Sequence, residues 1–196
     1  DACRTPRGIG KPGKGALAEL HPQQLASTVL KAIAERNGLD TADVDDVIWG
    51  VSTQRGKQGA DLGRMAALDA GYDLRASGVT LDRFCGSGIT SVNLAAAHVM
   101  SGMEALVIAG GTEMMSFTQS TADPNAPMML DSGNLRLRAR HPQSHQGVCA
   151  DAIATLEGMW LRTGNDSYHH LARFWTKIFA VSFGMGVVSG VVMSYQ

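Results

Sequence analysis

The chain changes character at about residue 155, and this break constrains its folding more than any other feature. Seven of its eleven aromatic residues lie after position 155: Trp160, Tyr168, Phe174, Trp175, Phe179, Phe183 and Tyr195. The preceding 155 residues hold only Trp49, Tyr72, Phe84 and Phe117. Ile178 to Tyr195 contains no charged residue at all. One pattern cannot serve both regimes, so each is read by itself.

The first regime alternates helix and strand signals. Leu25, Val29 and Ile33 with their alanine neighbours form an apolar stripe from about Pro22 to Arg36, and Asn37-Gly38 is a stop signal. Val44 to Ser52 reads as a strand, and a short helix over about Asp61 to Ala70 ends at Gly71. Gly78 to Phe84 reads as a second strand, Gly86 to Gly102 as a helix and Ala105 to Ala109 as a buried strand. Strand and helix at this spacing predict an α/β layered fold with a mostly parallel sheet. From Thr118 to His145 the pattern dissolves. Pro124, Pro127, Gly133 and Pro142 interrupt it, and Arg136, Arg138 and Arg140 recur on alternate positions. This is a long surface excursion of the kind that carries function.

Composition excludes several classes. A hydrophobic fraction of 44% over 196 residues is incompatible with a disordered chain. A net charge of −1 leaves no global electrostatic footprint for nucleic acid. Cys3, Cys85 and Cys149 are too few and too scattered for a disulfide framework or a cysteine zinc site, so a reducing compartment is the default. The opening Asp1-Ala2-Cys3-Arg4-Thr5-Pro6 has neither an initiator Met nor an apolar targeting run, and is expected to be the interior of a longer gene product.

Chemistry concentrates at Arg83-Phe84-Cys85-Gly86-Ser87-Gly88, where a strand runs through a tight glycine turn into a helix. Backbone N–H groups and the helix dipole at such a start stabilise an anion, which favours a thiolate nucleophile at Cys85. The glycines let a substrate carbonyl approach the backbone, whose N–H groups can hold an oxyanion. The helix behind has no Asp, Glu, Lys or Arg from Phe84 to Met103, and its small apolar residues predict burial nearly all round. The alternative for Cys85 is a small, buried, inert core cysteine. Other candidates carry less. Gly8 and Gly13-Lys14 have phosphate-loop spacing, but Gly15 stands where a Ser or Thr would meet magnesium. Cys149 reads as core, and His169-His170 as solvated loop. Glu113, after Gly110-Gly111-Thr112, either orients a loop at a strand end or makes ordinary hydrogen bonds to backbone.

These residues resemble a family. Asp1-Ala2-Cys3-Arg4-Thr5-Pro6-Arg7-Gly8 is similar to the opening motif of thiolases, and Arg83 to Gly88 to their nucleophile motif. Gly110-Gly111-Thr112-Glu113-Met114-Met115-Ser116 is similar to their next strand-end signature. His145-Gln146-Gly147, followed by Cys149-Ala150-Asp151, resembles the segment that enters their substrate loop domain. The four stand in family order over about 155 residues. β-Ketoacyl synthases share the fold and a cysteine nucleophile, but the Gly-Gly-x-Glu-x-Met-Ser run favours thiolase. The resemblance implies acyl transfer between acyl-CoA and CoA through a thioester on Cys85, with His145, Gln146 and Gly147 at the substrate. Gln146 stands where many thiolases carry Met, which bears on acyl-chain preference. No metal or resident cofactor is implied; coenzyme A thioesters are substrates. The family implies a homodimer or homotetramer, acting in the cytoplasm. Its Gly-His-Pro motif and its second, late cysteine are absent from this sequence. A nucleophile without its base and acid loses most of its rate, so this chain is expected to be inactive by itself.

The second regime resembles something else. Leu156 to Gly164, Leu171 to Phe179 and the run to Gln196 are similar to subunit I of cytochrome bd quinol oxidases. Ile178 to Tyr195, at about 1.5 Å per residue, is just long enough to cross a bilayer. Arg173 and Lys177 flank it, Trp175 and Tyr195 suit interfaces, and Gly186 and Gly190 form a Gly-x-x-x-Gly contact face. The bland alternative is a buried helix of a soluble domain. No haem ligand is placed on His169 or His170. Leu156-Glu157-Gly158 suits both families, so the join is expected there. The expected organisation is an incomplete thiolase-like α/β layered domain over 1–117, the start of the loop domain over 118–155, and an oxidase-like segment over 156–196 with a transmembrane helix at 178–195. The functional expectation is a thiolase-type acyltransferase fragment. The alternatives are a non-functional chimera of two genes and a membrane-anchored oxidase fragment.

Overall fold

The computed structural model describes residues 1–6, 8–9, 11–120, 133–141 and 146–176. Those up to 120 belong to one compact unit and those from 133 to 176 to another.

In the first unit, helix α1 (Pro22–Asn37) starts at a built cap. The His21 Nδ1 accepts from Gln23 N at 3.2 Å, and the Gln24 side chain accepts from His21 N at 3.2 Å. Gly38, at φ 56°, ends the helix in the left-handed conformation that glycine adopts freely. Strand β1 (Asp46–Gly50), helix α2 (Leu62–Asp69), strand β2 (Ser77–Leu81), helix α3 (Ser87–Ser101) and strand β3 (Val107–Gly111) follow. The three strands are parallel in the order β2-β1-β3, with Asp46 opposite Ser77 on one side and Val107 on the other. Central β1 is buried along its whole length. Its side chains alternate between faces. Val47 and Trp49 join Ala26 and Leu30 of α1 and Leu62, Ala66 and Ala67 of α2 in one apolar cluster. Gly50 faces α3, and a Cβ there would lie 2.6 Å from the carbonyl carbon of Ser87. The expected α/β architecture and parallel sheet are therefore present.

Burial of α3 differs from expectation. Only Ser87, Gly88, Thr90, Ser91 and Ala95 are buried, while Val92 is 53% and Met100 87% exposed. A three-stranded sheet offers the helix one surface. The small residues seat it closely there, and the Ser91 Oγ donates to the Gly110 carbonyl at 2.8 Å. Absence of charge set the expectation of all-round burial, yet the outer apolar face lies open.

Helix α4 (Met115–Ser120) follows β3. In the second unit, α5 (Leu135–Arg140) occupies part of the stretch expected to be irregular, started by Asn134, whose side chain accepts from Leu137 N at 3.1 Å. Helix α6 (Gln146–Thr163) runs without interruption through Leu156-Glu157-Gly158 and stops before Gly164, at φ 66°. Residues 166–176 form a further helix, α7, so His169 and His170 stand on a helix and not in the expected loop. The Asn165 side chain accepts from Ser167 N at 3.0 Å at its start, and the His169 ring stacks on Trp160 at 4.1 Å between centroids. The membrane helix expected at 178–195 lies outside the described residues. Among the described residues no helix is long and apolar enough to cross a membrane.

Candidate functional site

The turn between β2 and α3 is tied by short side-chain bonds. Asp82 Oδ1 accepts from Phe84 N at 2.6 Å. Ser87 Oγ accepts from Arg83 N at 2.9 Å and donates to the Phe84 carbonyl at 2.6 Å. Gly86 N donates to the Arg83 carbonyl at 3.0 Å. Held in this way, Phe84 sits at φ 49°, in the left-handed region that costs a non-glycine residue of order 1 kcal/mol or more. Strain of this kind persists where surrounding bonds over-determine it, and it clusters at functional turns. Cys85 follows immediately and is exposed, so it is not a buried core cysteine. Gly86 is the N-cap of α3 and brings no side chain to the helix start. The result is a thiol at the surface, beside the start of the 15-residue helix α3, on a turn whose geometry is fixed.

The loops after β1 and β3 reach the same end of the sheet. Glu113 Oε2 accepts from Ser52 N at 2.9 Å and from Thr53 N at 3.2 Å. Its Oε1 accepts from Gln58 Nε2 at 3.2 Å. Gln58 is fully buried; its Nε2 also donates to the Thr53 carbonyl at 3.1 Å, and its Oε1 accepts from Met114 N at 2.6 Å. Glu113 thus orients a loop, as its position after two glycines suggests. Sequence reasoning missed Gln58, which stands in a polar run with no motif. Trp49 Nε1 donates to Thr112 Oγ1 at 3.0 Å, and Gly110 leaves room for that indole: a Cβ there would meet Trp49 Cζ3 at 2.3 Å. A cavity of about 890 Å³ beside β3 is lined by residues that include Arg4, Val29, Ile89, Gly110 and Met114; Cys85 is not among them.

The other sequence candidates are placed as follows. His145 lies outside the described residues. Gln146 begins α6, and Gly147 is exposed on its first turn, both in the second unit. Cys149 is exposed, which corrects its expected place in a core, because the face of α6 that carries it meets solvent. Gly13 and Gly15, at φ 63° and 94°, belong to successive turns, and α1 begins only at Pro22. Lys14 therefore does not stand at a helix start, and the phosphate-loop geometry is not built.

Comparison with known proteins gives two matches. Residues 1–159 match the family model of the thiolase N-terminal domain. Residues 149–196 match that of cytochrome bd terminal oxidase subunit I. Among similar curated proteins, a steroid 3-ketoacyl-CoA thiolase of Mycobacterium tuberculosis is 40% identical over 116 residues, 59% of this chain and 28% of that protein. A β-ketoadipyl-CoA thiolase of Pseudomonas knackmussii is 44% identical over 117 residues, 59% of this chain and 28% of that protein. A 3-ketoacyl-CoA thiolase of Saccharophagus degradans is 31% identical over 160 residues, 78% of this chain and 40% of that protein. The chain thus spans well under half the length of these relatives.

Proposed function

We propose a function from one premise: the chain belongs to the thiolase family through its N-terminal domain. The reading is thiolase-type acyl transfer with Cys85 as the nucleophile, and it rests on one observation above others, the exposed thiol on a fixed, strained turn at a helix start. The Cys85 sulfur attacks the ketone carbon of a 3-ketoacyl-CoA. The bond between that carbon and the α-carbon breaks, the electron pair leaves on acetyl-CoA and is protonated there, and the acyl group stays on sulfur as a thioester. The thiol of free CoA then attacks this thioester, loses its proton and releases acyl-CoA and the Cys85 thiol. Covalent catalysis divides one difficult step into two easier ones. In this reading His145, Gln146 and Gly147 contact the substrate, and the complete enzyme is a homodimer or homotetramer. Residues 1–117 supply the nucleophile domain, 118–155 the start of the loop domain and 156–196 an oxidase-like segment with a membrane helix at 178–195. The Gly-His-Pro base and the late cysteine acid do not occur in this sequence, so in this reading acylation of Cys85 is slow and the chain by itself has no turnover.

The test is mass spectrometry of the folded chain after exposure to acetoacetyl-CoA. The expected result is one acetyl group on the Cys85 peptide, none in Cys85→Ser, and no sustained release of product. Acylation distributed over Cys3, Cys85 and Cys149 alike would overturn the assignment.

A second reading is favoured by the overlap of the two family matches at residues 149–159, inside the single helix α6. In it the chain joins parts of two unrelated families near Leu156-Glu157-Gly158 and has no activity. Folded protein in which Cys85 stays unacylated would support this reading over the first.

A further inference from the structure

The end of the sheet opposite Cys85 gathers a second set of chemistry-bearing side chains. Helix α3 begins against Gly50 at the end of β1 and runs back along the strand, so its last turns return to Asp46 at the strand's start. Asp46 lies between β2 and β3 and is 8% exposed. Its Oδ1 accepts from Val47 N at 2.8 Å and from the Ser77 hydroxyl at 2.9 Å. Among the described residues no Lys, Arg or His forms an ion pair with it, and no buried side-chain oxygen or nitrogen lacks a partner, so its second oxygen stays open to solvent. A mostly buried carboxylate with no cation beside it and one oxygen still open is a ready ligand for a metal ion.

Two further ligand groups meet this carboxylate. Gly102, at φ 75°, ends α3 and turns the chain so that Glu104 comes back to His98, with Glu104 Oε2 2.9 Å from His98 Nδ1. The Glu104 segment is held in place from below, because Asp45 Oδ2 accepts from Ala105 N at 2.7 Å and from Leu106 N at 3.0 Å. One ligand atom from each of Asp46, His98 and Glu104 lies within 4.8 Å of the others. Ligand atoms around a tetrahedral zinc ion stand about 3.4 Å apart. Binding draws Asp46 towards the other two and exchanges the direct His98–Glu104 contact at 2.9 Å for bonds to the ion. One imidazole with two carboxylates is a donor set that suits zinc better than calcium or magnesium.

We propose that Asp46, His98 and Glu104 form a divalent-cation site of the zinc class, three protein ligands completed by water, that joins the start of β1 to the end of α3. The assignment is independent of the acyl-transfer reading, since it lies at the other end of α3 from Cys85.

The test uses the whole chain, stripped of metal with a chelator and dialysed, then titrated with Zn²⁺ in a calorimeter and melted with and without the ion. The expected result is one saturable site per chain, with a melting temperature that rises with Zn²⁺ because the ion binds the folded state. His98→Asn and Glu104→Gln each weaken that site at least about tenfold and abolish the shift. The double variant His169→Asn with His170→Asn keeps both, which separates the site from adventitious binding at the paired histidines. Should His98→Asn fail to fold, Glu104→Gln decides, since its side chain is partly exposed and keeps its shape. Co²⁺ in place of Zn²⁺ gives d–d bands without a thiolate charge-transfer band. Absence of saturable binding, equal affinity in wild type and Glu104→Gln, loss of the site in the paired-histidine variant, or a thiolate band would each overturn the proposal.

Discussion

A single carboxylate holds together the loops after β1 and β3, at the end of the sheet from which the Cys85 turn also leaves, and its bonds make a sharp prediction. Glu113 receives three donors: two backbone N–H groups on one oxygen and the Gln58 amide on the other. In Glu113→Gln the new carbonyl oxygen can still accept from Ser52 and Thr53. The new NH₂ then faces the Gln58 NH₂, donor against donor. Turning Gln58 over relieves that contact but breaks its bonds to Met114 N and the Thr53 carbonyl. Either way a buried polar group goes unsatisfied, at about 1–3 kcal/mol. Urea unfolding should show a loss of that size with an unchanged m-value, and a variant as stable as wild type would mean the loops are held by other means. At this scale the sequence was legible only where neighbours in space are neighbours in the chain. The Cys85 turn is closed by Asp82, Arg83, Phe84 and Ser87, so its spacing could be read directly. Gln58 finds Glu113 and Met114 55 and 56 residues away, and Asp46 meets His98 and Glu104 only through the return of α3, so neither cluster could be read from a local pattern.

Among the elements, periodicity located α1, α2, α3 and all three strands to within a few residues, because each bears a stop signal or a glycine where the chain turns. It failed on α3's surroundings. A helix with no charge reads as buried all round, but only the sheet determines how much of it is covered. Helix α5 was missed because proline and glycine on either side outweighed the Asn134 cap. Helix α6 supplies a test of continuity through the segment shared by the two family matches. Gly158 lies in its middle, and a Cβ added there meets nothing within 4 Å. Replacing glycine by alanine inside a helix gains roughly 0.5–1 kcal/mol of helix stability. Gly158→Ala should therefore increase the far-ultraviolet helical signal and its persistence on heating. A loss of helix would place a turn at the junction instead.

At the scale of the whole chain the two units differ in how their backbones are protected. Strand β1 is buried throughout and bonded to a strand on each side, so its amides open only when the sheet does. Helix α6 has no buried residue among those whose side chains are described. An 18-residue helix standing largely in water is marginal, since most helical stability comes from packing an apolar face. Native-state hydrogen exchange should accordingly be graded, with α6 amides exchanging orders of magnitude sooner than those of β1. Low denaturant should accelerate β1 in proportion to the surface exposed on global unfolding and leave α6 nearly unaffected. Equal protection in both would make them one cooperative body. The grading matters for chemistry because the Cys85 turn grows directly out of β2 and α3 and abuts Gly50 of β1. If the sheet opens last, the thiol keeps its fixed setting after α6 has begun to open. Alkylation of Cys85, which is exposed in the folded chain, should then proceed without unfolding and keep its rate through the denaturant range in which α6 opens, changing only where β1 begins to exchange by global unfolding.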